Sequence, residues 1–358
     1  MIEKSFFELI QVALGVLTCL THSPSEDDWC QLYELAKKQS LVGICFAAVQ
    51  KFKLQQQCPP ELLYLTWMGM AVKIQQRNEV VNAHCVEAYQ KFGSDSCIMK
   101  GQGVAQCYNE SLRSLRQSGD IDLLLLQDQK TVIRVLKQME PDIKWDYVHA
   151  HLHLFDDTEI EVHYRPCCLY NLRRNKDLQG WYKNNLQTVK VDLTQGQIAV
   201  PSWTFNTVYL LTHAYHHLLN GGIGLRQMMD YYFVLKQVEP SAQEKTEFRN
   251  VTKRFGMFGF AKAVMYVMKE VFALEDKYLL CETDEDEGRF LLNEIMEGGN
   301  FGQYDKRYHQ RSKHKGRGKL LLNKIHNNMH LLTHYTNEVV WAPIYFVWHY
   351  FWKRTYKI

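Results

Sequence analysis

The chain has 358 residues, with 42 basic and 39 acidic side chains, a net charge of +3 and a hydrophobic content of 46%. That apolar content excludes a disordered chain, and the near balance of charge excludes a histone-like coat for nucleic acid. The ten cysteines form no C-x-x-C pair and suit neither a zinc module nor a disulfide scaffold, which points to a reducing compartment.

Phe6, Leu9, Ile10, Ala13, Leu14 and Leu17 recur at helical spacing. The start therefore reads as an amphipathic helix rather than a secretion signal, and a cytoplasmic location is the expectation. Trp29 to Phe52 repeats apolar residues every three or four positions. Cys58-Pro59-Pro60 breaks the chain, and Glu61 opens a helix that runs towards Phe92. The character changes near Gly93. Ser96 to Met99 is a short apolar run ending at Lys100-Gly101-Gln102-Gly103, and Ile121 to Leu126 reads as a buried strand. Lys130 to Met139 is helical, and Tyr147 to Phe155 and Glu159 to Tyr164 alternate as strands around Asp156-Asp157. This order predicts a mixed sheet with helices packed on it. Helices return at Thr204 to Leu219, Leu225 to Val238 and Phe248 to Phe272. Val339 to Trp352 is uncharged and aromatic, but too short for a bilayer span of ~20 residues. It reads as buried or interfacial. The division expected is a helical segment over 1–92, an α+β core over 93–200 and a helical domain over 201–358.

The chemistry concentrates in Ser118-Gly119-Asp120-Ile121-Asp122-Leu123. Strand alternation puts Asp120 and Asp122 on one side, with Ile121 and Leu123 towards the core. Paired carboxylates are relieved by exposure, a proton or a cation, and magnesium suits such oxygen ligands together with substrate phosphates. A third acid is needed, and Glu161 and Glu159 share the required facing. Lys100-Gly101-Gln102-Gly103, between a strand and a helix, offers positive charge and backbone N–H groups to an anion, and Arg116 is a candidate phosphate clamp. His163 and Arg165 share the facing of Glu161 and are candidates for orienting substrate.

Lys100-Gly101 before a helix, then Arg116-x-x-Gly119-Asp120-Ile121-Asp122, then Ile160-Glu161-Val162-His163-Tyr164-Arg165, resembles the uncharacterised bacterial nucleotidyltransferase family of the DNA-polymerase-β-like nucleotidyltransferase superfamily. Leu32–Leu41, His213–Asp230 and Gly298–Gly302 look like further family segments. The resemblance implies a polymerase-β-like core and transfer of a nucleoside monophosphate from a nucleoside triphosphate, such as ATP, to an unidentified small-molecule, protein or RNA acceptor. It implies Asp120, Asp122 and Glu161 as ligands of Mg2+ or Mn2+, with Glu161 preferred to Glu159. It places Lys100, Gly101, Gly103, Ser118 and Gly119 near the triphosphate, and raises the expectation that Arg226 faces the cleft.

Other features read more plainly. His149, His151 and His153 alternate along one strand face, but a metal site there needs a ligand from elsewhere. His213 and His217 share a helix face without the glutamate of H-E-x-x-H, so they are expected to pack against the core. Arg226 and Asp230 are spaced for an intrahelical pair. The basic run from Lys306 to Lys319 reads as a solvated loop that Asp284–Glu287 could neutralise. RNA, a phosphorylated acceptor or an anionic membrane surface are the ligands it would suit.

Overall fold

The structure is a computed structural model that describes residues 2–52, 58–305, 307 and 329–356. Three helices, α1 (Ile2–Ala13), α2 (Glu26–Lys38) and α3 (Val42–Phe52), precede the long α4 (Glu61–Phe92). The expected first helix stops early, where Gly15 takes a positive φ of 79°. The central sheet follows as β1 (Ser96–Ile98), β2 (Ile121–Leu125), β3 (Lys144–Trp145), β4 (His149–Leu152) and β5 (Ile160–His163). Short helices α5 (Gln102–Ala105) and α6 (Glu110–Arg113) lie between β1 and β2, and α7 (Gln129–Met139) follows β2.

The sheet has the order β1-β2-β5-β4-β3 and is mixed. β1 runs antiparallel to β2, β2 parallel to β5, and β4 antiparallel to β5. A mixed α+β architecture was the expectation, and it is what forms. The two faces of this sheet differ sharply. Ile121, Leu123, Leu125, Ala150, Leu152, Ile160 and Val162 point to one side. They bury against Val81, Cys85 and Val86 of α4 and against Val132, Ile133 and Leu136 of α7. The alternate residues, among them Asp122, His149, Glu161 and His163, point to the other side and line a cavity.

The first half of α4 serves a second, larger core. Its Trp67, Ala71 and Ile74 join α1–α3 and the later helices in one apolar cluster. At ~1.5 Å per residue, α4 is long enough to serve both layers.

After α8 (Leu172–Asn185), a hairpin of β6 (Thr188–Leu193) and β7 (Gly196–Pro201) adds a separate two-stranded sheet that was not among the expected elements. The remaining elements are α9 (Trp203–Asn220), α10 (Leu225–Leu235), α11 (Ala242–Phe255), α12 (Phe258–Phe272), α13 (Glu285–Gly298) and α14 (Thr336–Thr355). The single helix expected over Phe248–Phe272 is two. Gly256 adopts φ 69° and closes α11, its N–H bonding back to Thr252 and Lys253 carbonyls. Val339–Trp352 lies within α14, one side packed on the core and the other exposed. Among the described residues, no helix is long and apolar enough to cross a membrane.

Candidate active site

A cavity of about 580 Å³ opens over the polar face of the sheet. Strand pairing builds its floor. Asp122 on β2 and Glu161 on β5 are register partners on parallel neighbours, so both carboxylates leave the sheet on the same side at the same level. Asp120 precedes β2 by one residue and reaches the same cavity from its exposed rim. One oxygen of Asp122, one of Glu161 and one nitrogen of His163 lie within 4.8 Å of one another. His163 Nε2 is 3.0 Å from Asp122 Oδ1 and 3.4 Å from Glu161 Oε2. Glu159 instead lies outside the cavity lining and contacts His151.

Lys100 follows β1 and reaches down to this floor. Its Nζ lies 2.7 Å from Asp122 Oδ1 and donates to His213 Nε2 at 3.2 Å. Burial alone would lower the Lys100 pKa, but Asp122, Glu161 and Asp120 outweigh it and raise it. His213 and His217 sit on α9 across the cavity. Burial and the Lys100 charge hold His213 well below the usual imidazole range, and push His217 down to about 3. These neutral rings add no positive charge to Lys100. Burial would also lower His163, which meets the same Asp122 oxygen, but its hydrogen bonds with Asp122 and Glu161 hold it up at about 9.

The acids divide the charge unevenly. Burial pushes the Asp122 carboxyl up, but Lys100 and His163 overcome this and hold it below the usual range. Glu161 behaves alike, burial being overcome first by its hydrogen bond with His163. Asp120 is left with the repulsion. The Asp122 charge, aided by that of Glu161, raises it to about 6, against the pull of Lys100 and Arg226. Asp122 and Glu161 offer oxygen donors close enough to share a cation, and Asp120 lines the same cavity outside that close group, so a hard divalent cation suits the acids present.

The remaining expected residues separate. Gly101 and Gly119 line the cavity, and so does Arg226, which donates to Gln117 O at 3.0 Å and lies over the Phe301 ring. Gly103 lies outside the lining. A Cβ on it would sit 2.5 Å from Ile98 O, so glycine there lets α5 pack on the end of β1. Ser118 is half-buried and also outside the lining. Arg116 borders the cavity but is committed to Asp230, which takes the place of the expected Arg226–Asp230 pair. Arg165 turns away, donating to Gln129 Oε1 at 2.7 Å and stacking 4.1 Å over the Tyr147 ring.

α14 supplies Tyr345, Phe346 and His349 to the cavity wall, with the Tyr345 and Phe346 rings against Tyr147 and Tyr170. These residues were not singled out in sequence, because nothing local to α14 marks them as cavity-facing. The basic run expected at 306–319 lies outside the described residues except for Arg307, which pairs with Glu294 and Asp305. Asp284 caps α13 and pairs with Lys262, and Glu287 contacts His334.

Residues 25–273, more than half of the chain, match the model of an uncharacterised nucleotidyltransferase family. The chain belongs to that family. The match takes in every residue of the acidic floor, together with Lys100 and Arg226. The segment Gly298–Gly302, expected as a family segment, lies beyond it, as does α14. An antigenic nucleotidyltransferase-like protein from Paracoccidioides brasiliensis is similar over 59% of this chain and 96% of its own, with 11% identity and a TM-score of 0.37. No curated protein matches the chain. For this member of the nucleotidyltransferase family, acidic groups able to hold a cation are thus present on the sheet face.

Proposed function

We propose that this nucleotidyltransferase-family chain transfers a nucleoside monophosphate from a nucleoside triphosphate to a hydroxyl or phosphate acceptor, on a core of the polymerase-β type. The observation that carries the reading is the register pairing of Asp122 with Glu161, with Asp120 two residues away on the same cavity. The acceptor oxygen bonds to the α-phosphorus, the bond from that phosphorus to the oxygen bridging to the β-phosphate breaks, and pyrophosphate leaves. Bound Mg2+ or Mn2+, held by Asp120, Asp122 and Glu161, would supply charge stabilisation for the phosphoryl oxygens. Glu161 accepts the proton when the acceptor is a hydroxyl. Lys100 and Arg226 attract and orient the phosphates, and His213 keeps Lys100 aimed at the floor. The segment 93–200 carries the chemistry in this reading, and the helices of 1–92 and 201–358 select the acceptor.

The test is pyrophosphate release from each of the common triphosphates with Mg2+ or Mn2+ and a cell extract as the source of acceptor, followed by identification of the labelled product. Asp120→Asn combined with Asp122→Asn should abolish release while circular dichroism stays native. Normal transfer by that variant, or tight nucleotide binding with no release across varied acceptors, rejects the reading.

A further inference from the structure

The strand β4 adds a feature the acidic floor does not use. His149 and His151 leave it on the cavity side, and pairing with β5 sets His149 opposite His163 and His151 opposite Glu161. One ligand atom from each of His149, His151 and Glu161 falls within 4.8 Å of the others. Two histidines on one strand cannot close a metal site by themselves, but the neighbouring strand contributes the missing carboxylate.

The carboxylate of Glu161 is split between two environments. Its Oε2 faces His163 at 3.4 Å, on the side of Asp122. Its Oε1 faces His149 Nε2 at 3.5 Å. That second distance is long for a charge-assisted hydrogen bond, which closes to ~2.8 Å. It matches the separation of two ligands of one tetrahedral ion, ~3.4 Å for bonds of ~2.1 Å. His151 carries an independent sign. Its Nδ1 donates to Glu159 Oε1 at 2.6 Å, which leaves Nε2 as the free nitrogen. A carboxylate fixing the tautomer of an imidazole from behind is the support that metal-bound histidines receive. His149 Nδ1 is buried with no hydrogen-bond partner, so no hydrogen bond anchors that ring from its far side.

We propose that His149, His151 and Glu161 form a second cation site, for a borderline transition ion of the Zn2+ class, with Glu161 shared between it and the oxygen-lined floor. Two imidazoles and one carboxylate favour such an ion over Mg2+, and leave a coordination position open on the cavity side. Glu159, the rival third acid of the sequence, becomes the residue that orients His151. The site goes beyond the transfer reaction and meets it only at the shared Glu161.

The test uses the full chain freed of metal, with Co2+ as a spectroscopic probe and excess Mg2+ to fill the oxygen-lined floor. One equivalent of Co2+ should give the intense visible bands of a four- or five-coordinate nitrogen site. His151→Ala and His149→Ala should each weaken binding by about 100-fold or more, and Glu159→Gln by about tenfold. Asp120→Asn should keep the bands while losing transfer, which separates this site from the reading above. Thermal unfolding of each variant without metal checks the fold, and His151→Gln substitutes for any variant that fails it. Absence of the bands in the native chain, unchanged bands in the folded His151 variant, or their loss in Asp120→Asn overturns the proposal.

Discussion

The Arg116 guanidinium meets the Asp230 carboxylate on two prongs, Nε to Oδ1 at 2.7 Å and Nη2 to Oδ2 at 2.8 Å, with Tyr108 donating to the same Oδ1. The pair joins the loop before β2 to α10, and Arg116 is only 4% exposed. Removing one partner strands the other charge in a dry site. Asp230→Ala should therefore destabilise the fold by about 3–5 kcal/mol in urea unfolding. Arg226 differs, because its Nε is buried without a partner and its guanidinium borders the cavity. Arg226→Gln should weaken triphosphate binding about tenfold, close to 1.4 kcal/mol, while changing urea stability far less than Asp230→Ala. Calorimetric titration with a triphosphate, set beside the urea curves, checks both halves.

That contrast shows what a sequence can carry. The facing of Asp120 and Asp122 was legible because strand period decides it locally. Glu161 was legible as one of two candidates, preferred on the family resemblance, and the structure pairs it with Asp122 while Glu159 lies outside the cavity lining. The partner of Arg116 lies 114 residues away, and the His213 that meets Lys100 lies 113 away. No local pattern reports such contacts. The hairpin of β6 and β7 did leave a local signal that went unread, since Val189, Val191 and Leu193 alternate with Lys190 and Asp192 ahead of the turn that ends at Gly196. The break at Gly256 hid inside a helical period that continues on both sides of it.

Divalent cation should stabilise the fold through the carboxylates. A ligand that binds only the folded state adds about 2.7 kcal/mol at a concentration 100 times its dissociation constant. Mg2+ at saturation should raise the melting temperature by several degrees, roughly 2 °C per kcal/mol for a chain of this size. Asp120→Asn with Asp122→Asn should abolish that rise. Differential scanning calorimetry with Mg2+ and with chelator is the measurement.

Glu338 makes stability depend on pH. It is fully buried, its Oε2 accepts from the Tyr170 and Asn171 backbone N–H groups, and its Oε1 has no partner. Burial raises its carboxyl to about 7 from 4.5, against the pull of those N–H groups. Because the folded pKa lies above the unfolded one, the folded state binds the extra proton between these values. Stability therefore falls as pH rises through that window, by an amount on the order of 3 kcal/mol. Below 4.5 the group contributes no slope, and above about 7 the loss is complete. Glu338→Gln should flatten the difference between urea curves at about pH 5 and about pH 8.

Gly302 should tolerate no side chain. It has φ 66°, and a Cβ there would collide with the Gly221 carbonyl, which is backbone and cannot swing aside. The contact holds the turn that carries Phe301 to the cavity beside Arg226 and His217. Gly302→Ala should cost about 2–4 kcal/mol, from overpacking and from backbone strain together. Urea unfolding reads the cost, and nucleotide titration reads the displaced Phe301.

The aromatic wall on α14 has a consequence for biosynthesis. The acidic floor is translated by residue 161, yet Tyr345, Phe346 and His349 belong to the cavity wall and are read from the messenger much later. A ribosome-bound chain can hold the sheet and its carboxylates while the cleft still gapes. The cavity wall is thus complete only after α14 leaves the exit tunnel and docks through Glu338 on the backbone of Tyr170 and Asn171.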